Sequence, residues 1–146
     1  SRIVVPGGSE QREFPWGAAD PQTDPEVAIY LCDYPTGSND CVGGVANMAP
    51  VGTASRGAGR WGQLDLAGGI SEPALDWYTA YADPCVDCAF LSVNSNPVVR
   101  GGSYDVASTS LILNSTRNFA DSLPASPGRY PDDGVRCTRA PTPSEP

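Results

Sequence analysis

Apolar positions in this chain come in short bursts separated by Gly, Pro, Asn and Asp, and no burst keeps a helical period for long. "RIVV" (2–5) is β-branched and predicts a strand that Pro6-Gly7-Gly8 ends. "VAIYLC" (27–32) predicts a short buried strand before the loop "DYPTGSNDC". "VGGVANMAPVGT" predicts brief extended pieces around turns. The best helix candidate is roughly 71–80, with Ser71 as N-cap and Pro73 in the first turn. "NPVVRGGSYD" and "SLILNSTRNF" are the clearest strands, with Gly101-Gly102 marking a bulge or a close backbone approach. "APTPSEP" predicts an extended, solvated tail, and there is no internal repeat.

Composition sharpens this picture. With 146 residues the chain fits one domain, and its 16 Gly and 15 Pro are spread throughout rather than gathered in a linker. That favours many turns over long helices, while 40% hydrophobic residues and three Trp can still supply a core. A net charge of −8 opposes phosphate backbones and anionic membranes, so no nucleic-acid partner is expected. No apolar run approaches the roughly 18 residues of a membrane span, so no membrane insertion is expected.

Two absences narrow the chemistry. There is no His, the usual general base and commonest metal ligand, and no Lys for Schiff-base chemistry. Every cation is Arg, which suits fixed pairs with carboxylates. The five cysteines, in a chain that starts at Ser1, suggest a processed product of an oxidising compartment, secreted or at the cell surface. Cys32 and Cys41 bracket a loop and Cys85-Val-Asp-Cys88 is a CxxC, so the leading expectation is one disulfide within each pair. A redox CxxC is opposed by Asp83 and Asp87, and a four-thiolate zinc site from both pairs is the remaining alternative.

Five stretches, in order, resemble the formylglycine-generating enzyme family, also called the sulfatase-modifying factor domain. They are "GGSEQREFPWG" (7–17), "ANMAPVGT" (46–53), "GRWGQLDLAGGISEPALDWY" (59–78), "VVRGGSYD" with "STRNF", and "DDGVRCTRAP". The resemblance implies an α+β, irregular, loop-rich fold of the C-type-lectin-like kind, with short strands and few helices. The domain would run over 7–140 and be truncated at its N-terminal side, with residues 1–6 as an extended strand or arm and 141–146 as the tail. The family's N-terminal portion would then be cut off, belong to another chain, or be dispensed with. A missing edge element would leave unpaired backbone that invites association.

The resemblance also places the family's chemistry on particular residues. The two copper-binding cysteines of the catalytic branch fall on Val106 and Leu111, which cannot bind copper, so no copper is expected. The His-rich iron site of a related branch has no counterpart. The family's calcium sites fall on Asn47 and Met48, and on the turn Gly69-Ile70-Ser71-Glu72, where only Glu72 keeps a carboxylate. The substrate cleft would be lined by Tyr104, Asp105 and Ser108, and Trp61 is a further ligand-contact candidate. Arg100, Arg117 and Arg136 fall where family arginines make internal carboxylate pairs. Cys137 is left odd, either buried and inert or paired with another chain, and Asn114-Ser115-Thr116 is a glycosylation sequon.

These readings favour a non-catalytic extracellular binding or structural module, self-assembling when "SRIVV" adds to a neighbour's open sheet edge. Two alternatives stand beside it. One is relocated, metal-assisted chemistry at Asp65, Glu72 or Asp105. The other is the C-terminal part of a sulfatase-modifying-factor-type enzyme with altered or lost oxidase chemistry, completed by a second chain.

Overall fold

A computed structural model describes residues 11–37, 39–42, 45–81, 83–84, 89–92, 96–119 and 130–137. The expected N-terminal strand, the tail at 141–146 and the Cys85/Cys88 pair lie outside the described residues. A three-stranded antiparallel sheet, β1 (Glu72–Trp77), β2 (Pro97–Arg100) and β3 (Asn118–Phe119), is arranged in that order. Two single 3₁₀ turns, Ser55–Gly57 and Thr109–Leu111, are the helical elements, and the described residues contain no α-helix. The rest is turns that pack through their backbones.

β2 is as expected: Val98 and Val99 are buried, and Val98 and Val99 pair with Phe119 and Asn118. The expected helix at 71–80 is instead β1, whose Glu72 and Pro73 pair with Arg100 and Val99. Pro73 explains the error. A proline drives the residue before it towards extended backbone, which is unhelpful to a helix starting at Ser71 but suited to a strand. Pro73 is tolerated because β1 lies at the sheet's edge. Side chains also alternate, with Pro73 and Leu75 exposed and Ala74 and Asp76 half-buried.

Two other expected strands shrink. Within 27–32 the buried Ile29 makes a parallel bridge to Gly68, but Leu31 and Cys32 take φ of 53° and 55°, which ends the extended run. "SLILNSTRNF" opens on the 3₁₀ turn because the Ser108 hydroxyl accepts from Ser110 N–H at 3.2 Å, and only Asn118–Phe119 remains a strand.

The core consists of two neighbouring clusters. One gathers Phe14, Ala28, Tyr30, Ala67 and Ile112; the other gathers Ile29, Cys32, Ala54 and Tyr104. Three backbone segments cross between them. Gly68 N–H donates to Gly101 O at 2.8 Å, Gly69 N–H to Ile29 O at 2.7 Å, and Tyr104 N–H to Gly69 O at 2.9 Å. Leu31 and Cys32 N–H continue the crossing to Val106 and Tyr104 carbonyls at 3.0 and 2.7 Å. A Cβ at Gly68 would lie 2.2 Å from Ile29 O, and its φ of +77° already favours glycine. The close approach expected at Gly101-Gly102 is present: a Cβ at Gly102 would meet Ile112 Cγ2 at 2.8 Å and Leu111 O at 2.9 Å.

Cys32 and Cys41 form a disulfide, as expected of that pair, and the loop they close is tied down from within. The buried Asn47 donates from Nδ2 towards the carbonyls of Cys32, Tyr34 and Asp40 at 2.8–3.1 Å, and its Oδ1 accepts from Val42 N–H at 3.1 Å. Beside it Asp33 is fully buried, with Oδ2 lacking a hydrogen-bond partner among the described residues. Burial raises its carboxyl from the ordinary 3.8 to about 6, against the opposing backbone N–H groups of Tyr30 and Tyr34.

Two outcomes follow from this architecture. Gly68→Ala is expected to cost at least about 3 kcal/mol, because strain at positive φ adds to a backbone clash. Gly62→Ala, with a similar φ of +79° but open space around its Cβ, should cost only about 1–2 kcal/mol. Equal losses in urea titrations of the two variants would refute the role given to the crossing. For Asp33, the unfolded chain releases the proton near 3.8 and the folded chain near 6. Its contribution is therefore fully present below pH 3.8 and falls away as the pH rises towards 6. Asp33→Asn should flatten this part of the stability profile and raise stability at pH 7 by roughly 2 kcal/mol. A variant profile parallel to the wild-type one between pH 4 and 7 would contradict that assignment.

Candidate functional site

The polypeptide after β2 passes through Gly101-Gly102, both at positive φ, and brings Val106 and Leu111 together. Val106 and Leu111, the positions that the copper cysteines would take, line the same cavity of about 40 Å³, together with Ser71, Arg100, Gly102 and Thr116. The two positions therefore converge, but they bring aliphatic carbons. Val106 also packs against the Phe14–Ile112 cluster. The cavity has room for a water or two and offers no thiolate.

The cleft-lining residues expected here separate. Tyr104 is 4% exposed and belongs to the core beside Cys32 and Ala54, so it is a packing residue rather than a ligand contact. Burial, with Asp105 and Asp132 nearby, pushes its phenol upward. Asp105 is exposed and accepts from the buried Ser103 hydroxyl at 2.6 Å, while Ser108 caps the 3₁₀ turn. Trp61 is 61% exposed, on a turn far along the chain from Tyr104.

A larger cleft, of about 310 Å³, lies on the other flank of the crossing. Ile29, Ala54 and Ala67 form its buried floor, Pro50 and Val51 one exposed wall, and Val135 with Cys137 another. Gly69, Ile70 and Glu72, the expected second calcium turn, line it too. Glu72 is held by Arg136: Nε reaches its two carboxylate oxygens at 2.8 and 3.0 Å, and Nη2 reaches Oε1 at 2.7 Å and Asp65 O at 2.7 Å. Asp65 itself accepts from Gly52 N–H through Oδ2 at 2.7 Å. Sequence reasoning had Glu72 and Arg136 separately but not this cleft, whose walls come from residues 49–54 and 134–137. The signal available was the pairing of a lone turn carboxylate with the arginine of "GVRC".

The other expected site residues have defined places. Asn47 and Met48 lie under the disulfide loop, where the Asn47 side chain is engaged with the loop backbone and Met48 packs beside Tyr104. Asn114 is half-buried in a turn, not a strand, and its Nδ2 donates to Arg12 O at 3.0 Å. Cys137 is exposed, which removes the buried, inert reading. Of the three arginines expected in carboxylate pairs, Arg136 has one. Within the described residues Arg100 donates to Thr116 O, while Arg117 donates to Thr79 O between the rings of Tyr78 and Tyr81. Among the described residues no group of three or more His, Cys, Asp or Glu side chains could hold a metal ion. No helix among them is long and apolar enough to cross a membrane.

Short antiparallel strands, packed turns and few helical elements make this a loop-rich domain of the formylglycine-generating-enzyme and C-type-lectin-like kind. The chain belongs to the family described as the Sulfatase-modifying factor enzyme 1-like domain, whose model matches residues 2–141. Among solved structures it is similar to Treponema denticola variable protein 1, with 22% sequence identity and a TM-score of 0.61. That similarity covers 90% of this chain and 42% of the other, so this chain spans less than half of its neighbour's length. At that identity the likeness is one of fold. No curated protein matches the chain.

Proposed function

We propose that this domain is a non-catalytic binding or structural module, working in an oxidising setting outside the cytoplasm, secreted or on the cell surface. The observation that carries this reading is the convergence of Val106 and Leu111 on one small cavity, where the family's oxidase branch would need two sulfurs. The Cys32–Cys41 disulfide supports the oxidising setting. The absence of His and Lys from the whole sequence removes the usual replacements for the missing thiols.

Calcium belongs to this proposal at Glu72. Glu72 and Asp65 line the cleft, and their carboxylates are hard oxygen donors suited to that ion, with Asp65 Oδ2 already accepting from Gly52 N–H. Glu72 already has Arg136 as a partner, so binding would exchange one cation for another. The Asn47 side chain fits less well, because its amide is engaged with four backbone groups. One elemental analysis tests both metals. After incubation with Cu(I) and Ca²⁺ and gel filtration, the protein is expected to carry no stoichiometric copper, and calcium that Glu72→Gln loses. Copper bound at one per chain with oxidation of a cysteine peptide would sink the non-catalytic reading.

Self-assembly through residues 1–6 is the sharper form of the proposal. The two-residue β3 is a short outer strand, and Phe119 on it is 40% exposed, so an incoming strand has an edge to extend. Removing residues 1–6 is expected to reduce a light-scattering mass of two or more chains to one. An unchanged mass would exclude that route. The second reading, a part of a larger family enzyme, draws support from the 42% span of the structural neighbour. A co-purifying partner chain that restores oxidase activity would favour it.

A further inference from the structure

Away from both cavities, the segment 16–27 and the 3₁₀ turn at Ser55–Gly57 enclose an open basin of about 490 Å³, within the size range of small-molecule sites. Trp16 is its aromatic element, beside Ala19, Pro21 and Val27. The indole lies parallel to Phe14, at 5.0 Å between centroids and 2° between planes, and Phe14 is itself locked in the core. The indole N–H donates to Ala19 O at 2.9 Å. The ring is thus held in orientation, its donor is already engaged, and what it offers the basin is carbon surface.

The rim is polar and of mixed sign. Asp24 Oδ2 pairs with Arg56 Nη1 at 2.7 Å, and Glu26 stands 3.7 Å from the same nitrogen. The remaining Arg56 nitrogens have no partner among the described residues. Asp20 and Asp24 each accept one nearby backbone N–H, from Gln22 at 2.7 Å and Glu26 at 3.0 Å. These bonds fix the carboxylates while leaving lone pairs towards solvent. Asp20 and Gln22 are exposed.

A flat aromatic surface flanked by fixed planar acceptors and an open guanidinium matches one ligand chemistry well. A sugar ring presents C–H groups on one face and hydroxyls around its edge, each hydroxyl both donor and acceptor. The lining carboxylates outnumber the single guanidinium on a chain of net charge −8, which disfavours uronic, sialic or sulfated sugars. A purely apolar ligand would strand the charged rim without water. We propose that the Trp16 basin is a binding site for neutral saccharides, made by Trp16, Asp20, Gln22, Asp24 and Arg56. The site needs neither a metal nor the cavity beside Val106, and a monomer would bind as well as an assembly.

The test is titration of the full-length, ¹⁵N-labelled protein with cellotetraose, chitotriose, maltotriose and mannotriose, reading the three indole N–H signals by NMR. At least one sugar is expected to shift the Trp16 signal saturably, with a dissociation constant of about 1 mM. The Trp61 and Trp77 signals should stay in place as internal controls. Arg56→Ala should weaken binding at least about fivefold while leaving the melting temperature nearly unchanged, since the pair it breaks is exposed. Absence of a saturable Trp16 shift with any of the four sugars would overturn the proposal. So would unaltered affinity in Arg56→Ala, or an equal shift from n-butylammonium at the same concentration, which would make the basin a cation site.

Discussion

The crossing of three backbone segments at Gly68 is the constraint on which the rest of this structure depends. With a three-stranded sheet and no α-helix among the described residues, regular ladders can satisfy few of the buried peptide groups. The segments around Ile29, Gly68-Gly69 and Gly101–Tyr104 satisfy them pairwise instead, through bonds of 2.7–2.9 Å. Such a crossing works only where no side chain intervenes. Gly57, whose Cβ would fall 1.9 Å from Val27 O, repeats the arrangement beneath the Trp16 basin. The glycine spread that first suggested a turn-rich chain is, at these positions, a set of places where one backbone rests on another. Both cavities beside the crossing inherit their floors from it, because the residues flanking the glycines, Ile29, Ala67 and Gly102, are also their lining.

What was legible in the sequence was whatever depends on local chemistry or on the order of motifs. "PVVRGGS" declares its strand and its turn, because valines favour the pleat and two glycines permit positive φ (86° and 70° at Gly101 and Gly102). Cys32 and Cys41 could close a loop on spacing alone. The succession of family-like stretches singled out Val106 and Leu111, which line one cavity. The errors arose where tertiary partners decide. Glu72–Trp77 carries an N-cap signal at Ser71, yet its hydrogen bonds go to Pro97–Arg100, and Pro73 suits only the strand. The resemblance to the family placed Tyr104 along a cleft. Its burial follows from contacts with Cys32 and Ala54, 50 or more positions away. The large cleft was illegible for the same reason, since its walls join only in the folded chain.

Val106 and Leu111 bring aliphatic carbons, and no thiol, to one small cavity. A thiolate pair at a cavity needs polar surroundings and access, whereas Val106 packs against the core cluster that holds Phe14 and Ile112. The cavity that this aliphatic pair lines is about 40 Å³. That is a physical reason to look for function on the periphery, where the conformations of the turns are fixed but their outward side chains are not needed for packing.

The arginines show how such a periphery is kept rigid. Arg136 joins β1 to the C-terminal segment through Glu72 and Asp65 O, Arg100 joins β2 to Thr116 O, and Arg56 joins the Ser55–Gly57 turn to Asp24. Each reaches between segments that share few or no ladder bonds. A guanidinium can do this because its donors lie in one plane and address a carboxylate and a carbonyl together, which a lysine ammonium does only with more loss of side-chain freedom. Exposed ion pairs of this kind add little to stability individually. Their effect is on geometry: they hold turns at set distances where no strand or helix does so. Arg56 differs from the other two in lining the basin beside Trp16, with nitrogens that have no partner among the described residues, so the same side chain that fixes its turn is also able to address a ligand.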